Sequence, residues 1–426
     1  MSNGLDIHSQ EAGVADMPAR HSSSSPALRR RLSLPLLSLY GIGVTIGAGI
    51  YVLVGKVAIG TGVHAPLSFL VAAILAAFTA FSYAELGGRV PKSAGEAMFV
   101  HAAFGKPVLA TAIGFLVMIT GIISSGAIVI GFVGYLHEVV AVPSALATVG
   151  VVTLLALIVA WGIGESVMLA AILTVAEIVG LLLIIGAGLL KGPDVVAVLP
   201  EVVSPSAWSE GAAILSGAVL AFFAFVGFED IVNVAEEAKD PVRTVPRATI
   251  ITLVVSSGLY FLVAVIAVAL VPLDQLGGSD APLALVFETA TGRSAAIISL
   301  IAIFAVLNGV MIQLIMSSRI LYGIAREGWI PRFFANVHPI TRTPIIATFA
   351  VAAVVILLAL TLPIVRLAEM TSYLVLTVFT VVNVALIRIK LRDPAPTSDH
   401  FTVGLWVPVT GAIASLGILI FDLLWG

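Results

Sequence analysis

Three carboxylates lie inside long apolar stretches of the chain, where a charge is costly. Glu229 and Asp230 follow the run Phe225-Val226-Gly227-Phe228, and Glu177 lies within residues 173–178. A carboxylate at the centre of a bilayer costs about 2.5–3.5 kcal/mol, so such groups usually carry protons, bind cations or serve as structural groups bonded to backbone. We favour a functional role for Glu229, and a proton or cation site for Glu177. Asp230 is on another helical face, and both interpretations stay open for it.

A glycine run gives the second chemical signal. Four glycines fall within residues 41–49, and each weakens a helix by about 1 kcal/mol relative to alanine. A helix that unwinds here exposes amide N–H groups at a positive dipole end, which suits an anion. Gly47, Ala48 and Gly49 have little or no side chain, so a carboxylate can approach the backbone. The alternative is that the glycines only allow tight helix packing.

The apolar stretch that contains Glu229 supplies the complementary chemistry. If it also unwinds, the carbonyls of Phe223, Ala224 and Val226 become free to accept from an ammonium group. Donors at one break and acceptors at the other fit a zwitterionic amino acid. Other polar side chains are weaker signals, because hydroxyls in membrane helices often bond to their own backbone. They are Asn308, Gln313, Ser317 and Ser318 in one stretch and Thr120, Ser124 and Ser125 in another.

Composition decides what kind of scaffold holds these groups. The 426 residues are 60% hydrophobic and 11% charged, against about 25% charged in soluble domains. The chain therefore cannot build a water-exposed surface, and a lipid bilayer is its expected surroundings. The net charge of −3 argues against a nucleic-acid partner. There are no cysteines, and the seven histidines show no metal-ligand spacing, so we expect no metal, no cofactor and no enzyme activity.

Hydropathy predicts an all-α polytopic membrane protein with eleven spans. We expect a disordered cytoplasmic tail at 1–33, a ten-helix core at 34–390, and a loop with an eleventh helix at 391–426. The predicted spans are 34–56, 65–87, 107–136, 145–163, 167–190, 211–237, 248–271, 295–323, 344–362, 367–388 and 406–424.

Positive charges predict the orientation. With the N-terminus in the cytoplasm, four of the 21 Lys and Arg residues fall outside, and the other seventeen fall in or beside cytoplasmic segments. The four are Lys56, Lys191, Arg293 and Arg366. Eleven spans then place the C-terminus outside. The predicted breaks lie in spans one and six, and such matched breaks are expected of a 5+5 inverted repeat with its site at the midplane.

Several motifs resemble one family, the amino acid–polyamine–organocation superfamily of transporters, over roughly residues 34–424. The strongest runs from Phe222 to Glu229 and from Glu236 to Ala248. The others are Gly47-Ala48-Gly49-Ile50-Tyr51, Pro91-Lys92-Ser93-Ala94-Gly95-Glu96, and Ser318 to Gly328 followed by Pro331 and Thr343-Pro344.

The resemblance implies the leucine-transporter fold and alternating access. It implies a substrate site formed by Thr45, Ile46, Gly47, Ala48, Gly49, Ile50, Ser125, Phe223, Ala224, Phe225, Val226, Gly227, Phe228 and Gln313. In such relatives an aromatic gate corresponds to Phe223, and a glutamate linked to proton coupling corresponds to Glu229.

The chain departs from the family pattern at three points. Many proton-coupled relatives have a lysine at the position of Glu177, so here Glu177 with Ser317 or Ser318 is a candidate site for Na⁺ or a proton. Residues 93–96 replace the commoner double-glycine form. Most members have twelve spans, whereas eleven are predicted here.

Together these observations predict a secondary-active transporter of amino acids or related amines in the plasma membrane. Proton-coupled symport or exchange is favoured over Na⁺ coupling. The acidic residues Glu177, Glu229 and Asp230 slightly favour a cationic substrate. A nutrient sensor of the same fold is the main alternative, and a channel is another. The sequence leaves the oligomeric state open.

Overall fold

A computed structural model describes residues 32–91, 95–161, 167–204, 209–326, 328, 330–341, 343–393 and 401–425, apart from the side chains at 48, 167–170, 193–194 and 236. The tail expected at 1–33 lies outside this range except for its last two residues. Leu32 pairs with the chain after the second break, since its N–H donates to the carbonyl of Glu237 at 2.9 Å and its carbonyl accepts from Lys239 at 3.0 Å. Residues 92–94, part of the family motif at residues 91–96, also lie outside the described range.

The described chain is helical throughout, with one isolated bridge between Leu32 and Ala238. Helices suit apolar sequence in a bilayer because they satisfy their own backbone hydrogen bonds. The long helices are α1 Leu34–Thr61, α2 Ala65–Arg89, α4 Pro107–His137, α5 Ser144–Trp161, α6 Val167–Leu189, α8 Gly211–Phe222, α9 Pro241–Leu270, α12 Ala296–Arg326, α13 Ile345–Thr361, α14 Ile364–Arg392 and α15 Trp406–Trp425. The short ones are α3 Gly95–Phe104, α7 Gly192–Val202, α10 Leu273–Gly278 and α11 Pro282–Thr291.

Within the described residues, nine helical stretches are long and apolar enough to cross a membrane. One of them, Leu34–Arg89, contains both α1 and α2, and α13 is apolar but only 17 residues long. An all-α polytopic membrane protein is thus confirmed. Large apolar side chains such as Leu154, Val175 and Ile413 are exposed on the outer helices, as a lipid-facing surface requires. The count of eleven spans and the 5+5 repeat stay predictions.

Buried tyrosines hold the helices around α1. Tyr135 of α4 donates its hydroxyl hydrogen to the carbonyl of Tyr51 at 2.5 Å, and Tyr51 donates in turn to the carbonyl of Glu177 at 2.9 Å. Both rings are fully buried and meet edge to face. A buried hydroxyl needs such a partner, because leaving it unpaired costs about 1–3 kcal/mol. These bonds connect α4, α1 and α6 at one level of the bundle.

The short helix α3 packs against α4 and α14. Its last turn is held by two arginines of α14, since Arg388 and Arg392 both donate to the carbonyl of Ala103, at 3.0 and 2.9 Å. Cations at a helix C-terminus satisfy carbonyls that have no partner within the helix. At the other end of α3, Tyr83 of α2 donates to Glu96 at 3.2 Å. These contacts fix α3 at the end of the bundle that the charge pattern predicts to be cytoplasmic.

Candidate functional site

The first predicted break is present in α1. Gly47 has φ −18° and ψ −143°, which is not helical, while the residues on both sides continue the helix. Just before the break, Thr45 donates its hydroxyl hydrogen to the carbonyl of Gly41 at 2.8 Å. Breaks of this kind within a membrane helix are tolerated where the freed backbone is buried in protein or lines a cavity.

The second predicted break follows α8. The chain passes through a 3₁₀ turn at Phe223–Phe225, an extended Val226, and Gly227 at φ 130°. That φ lies in the region that L side chains rarely adopt, so glycine is required there. A 3₁₀ helix, Phe228–Glu237, then begins in the new direction. The two carboxylates Glu229 and Asp230 therefore lie in the first turn of an element that starts inside the bundle.

The two breaks contact each other through a pair of glycines. A Cβ placed on Gly49 of α1 would overlap the backbone of Ala224 in the second break. A Cβ placed on Gly227 would lie 2.7 Å from the carbonyl oxygen of Val44 in α1. Each glycine thus lets its own helix meet the backbone of the other. Close backbone approach is the physical role that small residues have in membrane proteins.

Tyr260 of α9 lies across this junction. Its hydroxyl oxygen is 2.6 Å from the carbonyl oxygen of Thr45 and 2.8 Å from that of Ala224. One hydroxyl therefore serves a carbonyl on each broken helix. The ring is fully buried and packs edge to face on Phe225 at 5.1 Å. The carbonyl of Phe223 also accepts a bond, from the N–H of Val226 at 3.2 Å. Two of the three predicted acceptor carbonyls are thus already engaged, each with a second lone pair remaining.

A small cavity opens beside the second break, and Val226 lines it. We call it the acidic cavity, because three carboxyl groups from two elements face it. Its polar lining consists of Tyr83, Glu96, Thr120, Glu229, Asp230 and Gln313. The rest of the wall is apolar and includes Met316 and Phe379.

The carboxyl groups in the acidic cavity differ in their partners. Glu229 accepts the N–H of Gly227 at 2.8 Å, so it stabilises the backbone of the break itself. Asp230 accepts from Asn233 at 3.2 Å with Oδ1, whereas Oδ2 is buried with no partner among the described residues. Glu96 lies on α3, outside the membrane-spanning helices. Its burial raises its pKa to about 7, although the hydrogen bond from Tyr83 opposes the shift.

Glu177 lies elsewhere, in α6. Asn308 of α12 faces its carboxyl group, yet within the described part of the chain neither Glu177 oxygen has a hydrogen-bond partner of good geometry. The serines predicted to join it are directed to other groups. Ser317 donates to the carbonyl of Met118 at 3.3 Å, and Ser318 donates to the carbonyl of Ile315 at 3.0 Å. Among the described contacts, none brings Glu177 together with either serine.

Most of the predicted substrate residues fall into three groups, and Ser125 and Ala48 are separate. Thr45, Gly47, Gly49, Ala224 and Gly227 form the junction of the breaks, and Val226 and Gln313 line the acidic cavity. Ile46, Ile50, Phe223, Phe225 and Phe228 are buried in the core. Ser125 donates to the carbonyl of Gly121 at 2.8 Å and is fully buried. The side chain of Ala48 lies outside what the structure describes.

Sequence reasoning missed several residues of the site. Tyr260 stands in an ordinary apolar helix pattern, so nothing local indicates its contact with residue 45. Glu96 was seen only as part of a family motif, and Tyr83 and Phe379 were not singled out. The one available signal was Glu96 itself, a carboxylate beside an apolar run.

Two broken helices that meet inside an apolar bundle, with a polar cavity beside them, are characteristic of membrane transporters. Comparison with known proteins agrees. The amino acid permease family matches residues 32–425, so the chain belongs to that family. It is therefore a transporter and not an enzyme, and the resemblance to the amino acid–polyamine–organocation superfamily is confirmed.

Individual relatives carry different names. The branched-chain amino acid permease BcaP of Bacillus subtilis (strain 168) is 31% identical, over 95% of this chain and 90% of that protein. Cationic amino acid transporter 4 of Homo sapiens is 30% identical over 90% of this chain, which spans only 63% of that relative's length. The methylthioribose transporter of Bacillus subtilis (strain 168) is 29% identical, over 87% of this chain and 84% of that protein.

Proposed function

We propose that the protein is a secondary-active transporter of amino acids or related amines that works by alternating access. The observation that carries this proposal is the junction of the breaks, where Gly49 meets Ala224, Gly227 meets Val44, and Tyr260 serves both chains. The N–H groups after Gly47 would receive the substrate carboxylate, and the carbonyls of the second break would receive its ammonium group. The relatives named above as amino acid transporters support this substrate class.

Packing supports an inverted repeat. The two most extensive helix pairs are α2 with α9 and α4 with α12. In the predicted numbering these pair span two with span seven and span three with span eight, so each joins helices five spans apart. A pseudo-twofold axis between two five-helix halves produces such pairs. The proposed topology has the N-terminus in the cytoplasm, the C-terminus outside and the plasma membrane as its location, as the positive charges favour.

Proton coupling is the proposed energy source. Glu229 accepts a backbone bond at the break, so its protonation would act on the geometry of the break directly. Glu177 is buried with both oxygens unpaired among the described groups, and such a group in a membrane requires a proton or a cation. We favour the proton, because no described contact joins Glu177 to Ser317 or Ser318, the predicted additional ligands for Na⁺.

The test is uptake of labelled amino acids and polyamines into proteoliposomes that contain the full chain. A pH gradient and a Na⁺ gradient are imposed separately, with protein-free liposomes as the control. Saturable uptake of one substrate, driven by the pH gradient, is the expected result. Binding of a panel member without any uptake would instead identify a sensor. Uptake driven by Na⁺ alone would overturn the proton assignment and leave the carrier in place.

A further inference from the structure

The polar atoms of the acidic cavity are unevenly matched. Its hydroxyl donors are already used, since Thr120 donates to the carbonyl of Leu116 at 2.9 Å and Tyr83 donates to Glu96. The fully buried atoms without a partner are acceptors, while the amide of Gln313 also carries N–H donors. Among the described residues, Asp230 Oδ2 and Gln313 Oε1 are buried without a partner, and both side chains line the cavity. Both side chains are more than nine-tenths buried, at 3% and 6% exposed. Unpaired buried acceptors are costly, so a ligand rich in N–H donors fits here.

The ionisable carboxyl groups that line the acidic cavity are not balanced by any basic group among its described lining residues. Three carboxyl groups face the space. Each of the three carboxyl groups accepts one hydrogen bond, but the bond to Glu229 holds the backbone of the break, so Glu96 and Asp230 are the candidates for contact with a ligand. These three acidic residues are not the three that the sequence suggested for a cationic substrate. Glu177 lies in α6 outside this cavity, and Glu96 of α3 takes its place.

We propose that the acidic cavity is a subsite for a cationic side-chain group of the substrate, recognised by Glu96 and Asp230. The proposal rests on the proposed function, because it assumes that the α-carboxylate and α-ammonium bind at the junction of the breaks. Val226 belongs to the break and also lines the cavity, so the acidic cavity adjoins the break at which the α-ammonium group would bind. An ammonium or guanidinium group supplies several N–H donors and a positive charge together.

L-lysine and L-norleucine test this inference, because they differ only in the terminal ammonium group. The dissociation constant of each is measured by calorimetry on the full chain in lipid nanodiscs. A charge-assisted contact predicts that lysine binds roughly tenfold or more tighter than norleucine. Glu96→Gln and Asp230→Asn, on separate elements, should each reduce that ratio severalfold and leave the norleucine constant unchanged. Glu288→Gln, at an exposed position, is the matched control and should keep the wild-type ratio.

Each other result is decisive. Equal binding of the two ligands by the wild-type protein would overturn the subsite and leave the transporter proposal standing. Preference for lysine that survives both substitutions would overturn the assignment to Glu96 and Asp230. If the protein binds neither ligand and no other amino acid, the proposed substrate class is overturned, and the subsite is overturned with it. Norleucine binding in each variant also shows that the variant is folded.

Discussion

Gly49→Ala is the sharpest perturbation of the junction between the breaks. The added Cβ would overlap the Cα of Ala224 and lie 2.7 Å from its Cβ. Because the obstructing atoms are close to the backbone, they cannot swing aside as the end of a long side chain can, so the two broken helices must separate. Overpacking of this kind costs about 1–3 kcal/mol. If the separation displaces the donors of α1 from the acceptors of the second break, this cost appears as a loss of affinity of roughly five- to 150-fold.

The assay is the dissociation constant of a transported amino acid, measured together with the thermal midpoint of the full chain in nanodiscs. Gly60→Ala is the matched control, since Gly60 is an exposed residue of α1 and a Cβ there meets nothing within 4 Å. We expect the control to behave as wild type, and Gly49→Val to be worse than Gly49→Ala. An affinity for Gly49→Ala within twofold of wild type would refute the placement of the substrate between the breaks.

Three further predictions concern the polar groups around the site. Tyr260→Phe removes the hydroxyl that contacts both breaks and leaves two buried carbonyls without that donor. We expect this change to lower the free energy of unfolding by about 1–3 kcal/mol and to weaken substrate binding. Glu229→Gln keeps an acceptor for the N–H of Gly227 but cannot carry a proton at neutral pH, so uptake should lose its response to a pH gradient while binding persists. The pKa of Glu96 is about 7, so this carboxyl is mostly neutral at pH 6 and mostly charged at pH 8. The preference for lysine over norleucine should therefore be severalfold larger at pH 8.

Each of these has its own control. Tyr322→Phe removes the hydroxyl of a half-buried residue in α12 and should leave substrate affinity unchanged. If Tyr260→Phe has the same affinity and stability as Tyr322→Phe, the contact of the Tyr260 hydroxyl with both breaks is dispensable. Full response to the pH gradient in Glu229→Gln would rule out its coupling role. For the pH dependence, Tyr83, Glu229 and Asp230 also face Glu96, so the comparison is with Glu96→Gln. If the preference for lysine still changes with pH in Glu96→Gln, a group other than Glu96 causes the change.

Both breaks could be predicted because their causes are local. The glycines at 47 and 49 weaken one helix, and Gly227, two residues before Glu229, interrupts the other, so the local sequence indicated both breaks. The long helices were predictable for a similar reason, since an apolar stretch of about 20 residues in lipid has few alternatives to a helix. Their ends agree with the predicted spans to within a few residues at most positions, and prolines near the start of α1, α2 and α4 mark several of them.

Contacts between distant parts of the chain could not be predicted. The bond from Tyr260 to Thr45 joins residues 215 positions apart, and no periodicity indicates which face of α9 meets the break. The helix α3 has ten residues, too few to register as a span, so the sequence predicted no helix at Glu96. The grouping of Glu177 with Ser317 and Ser318 came from the family resemblance, and the described side chains direct the serines to other carbonyls.

Counterflow tests the central claim most directly, that one substrate site between the breaks is exposed alternately to the two sides. Proteoliposomes loaded with an unlabelled amino acid are placed in a trace of the same labelled compound, with no ion gradient. We expect transient accumulation of label in the wild-type protein and in Gly60→Ala, and none in Gly49→Val. Binding without counterflow in the wild-type protein, or normal counterflow in Gly49→Val, would contradict the account.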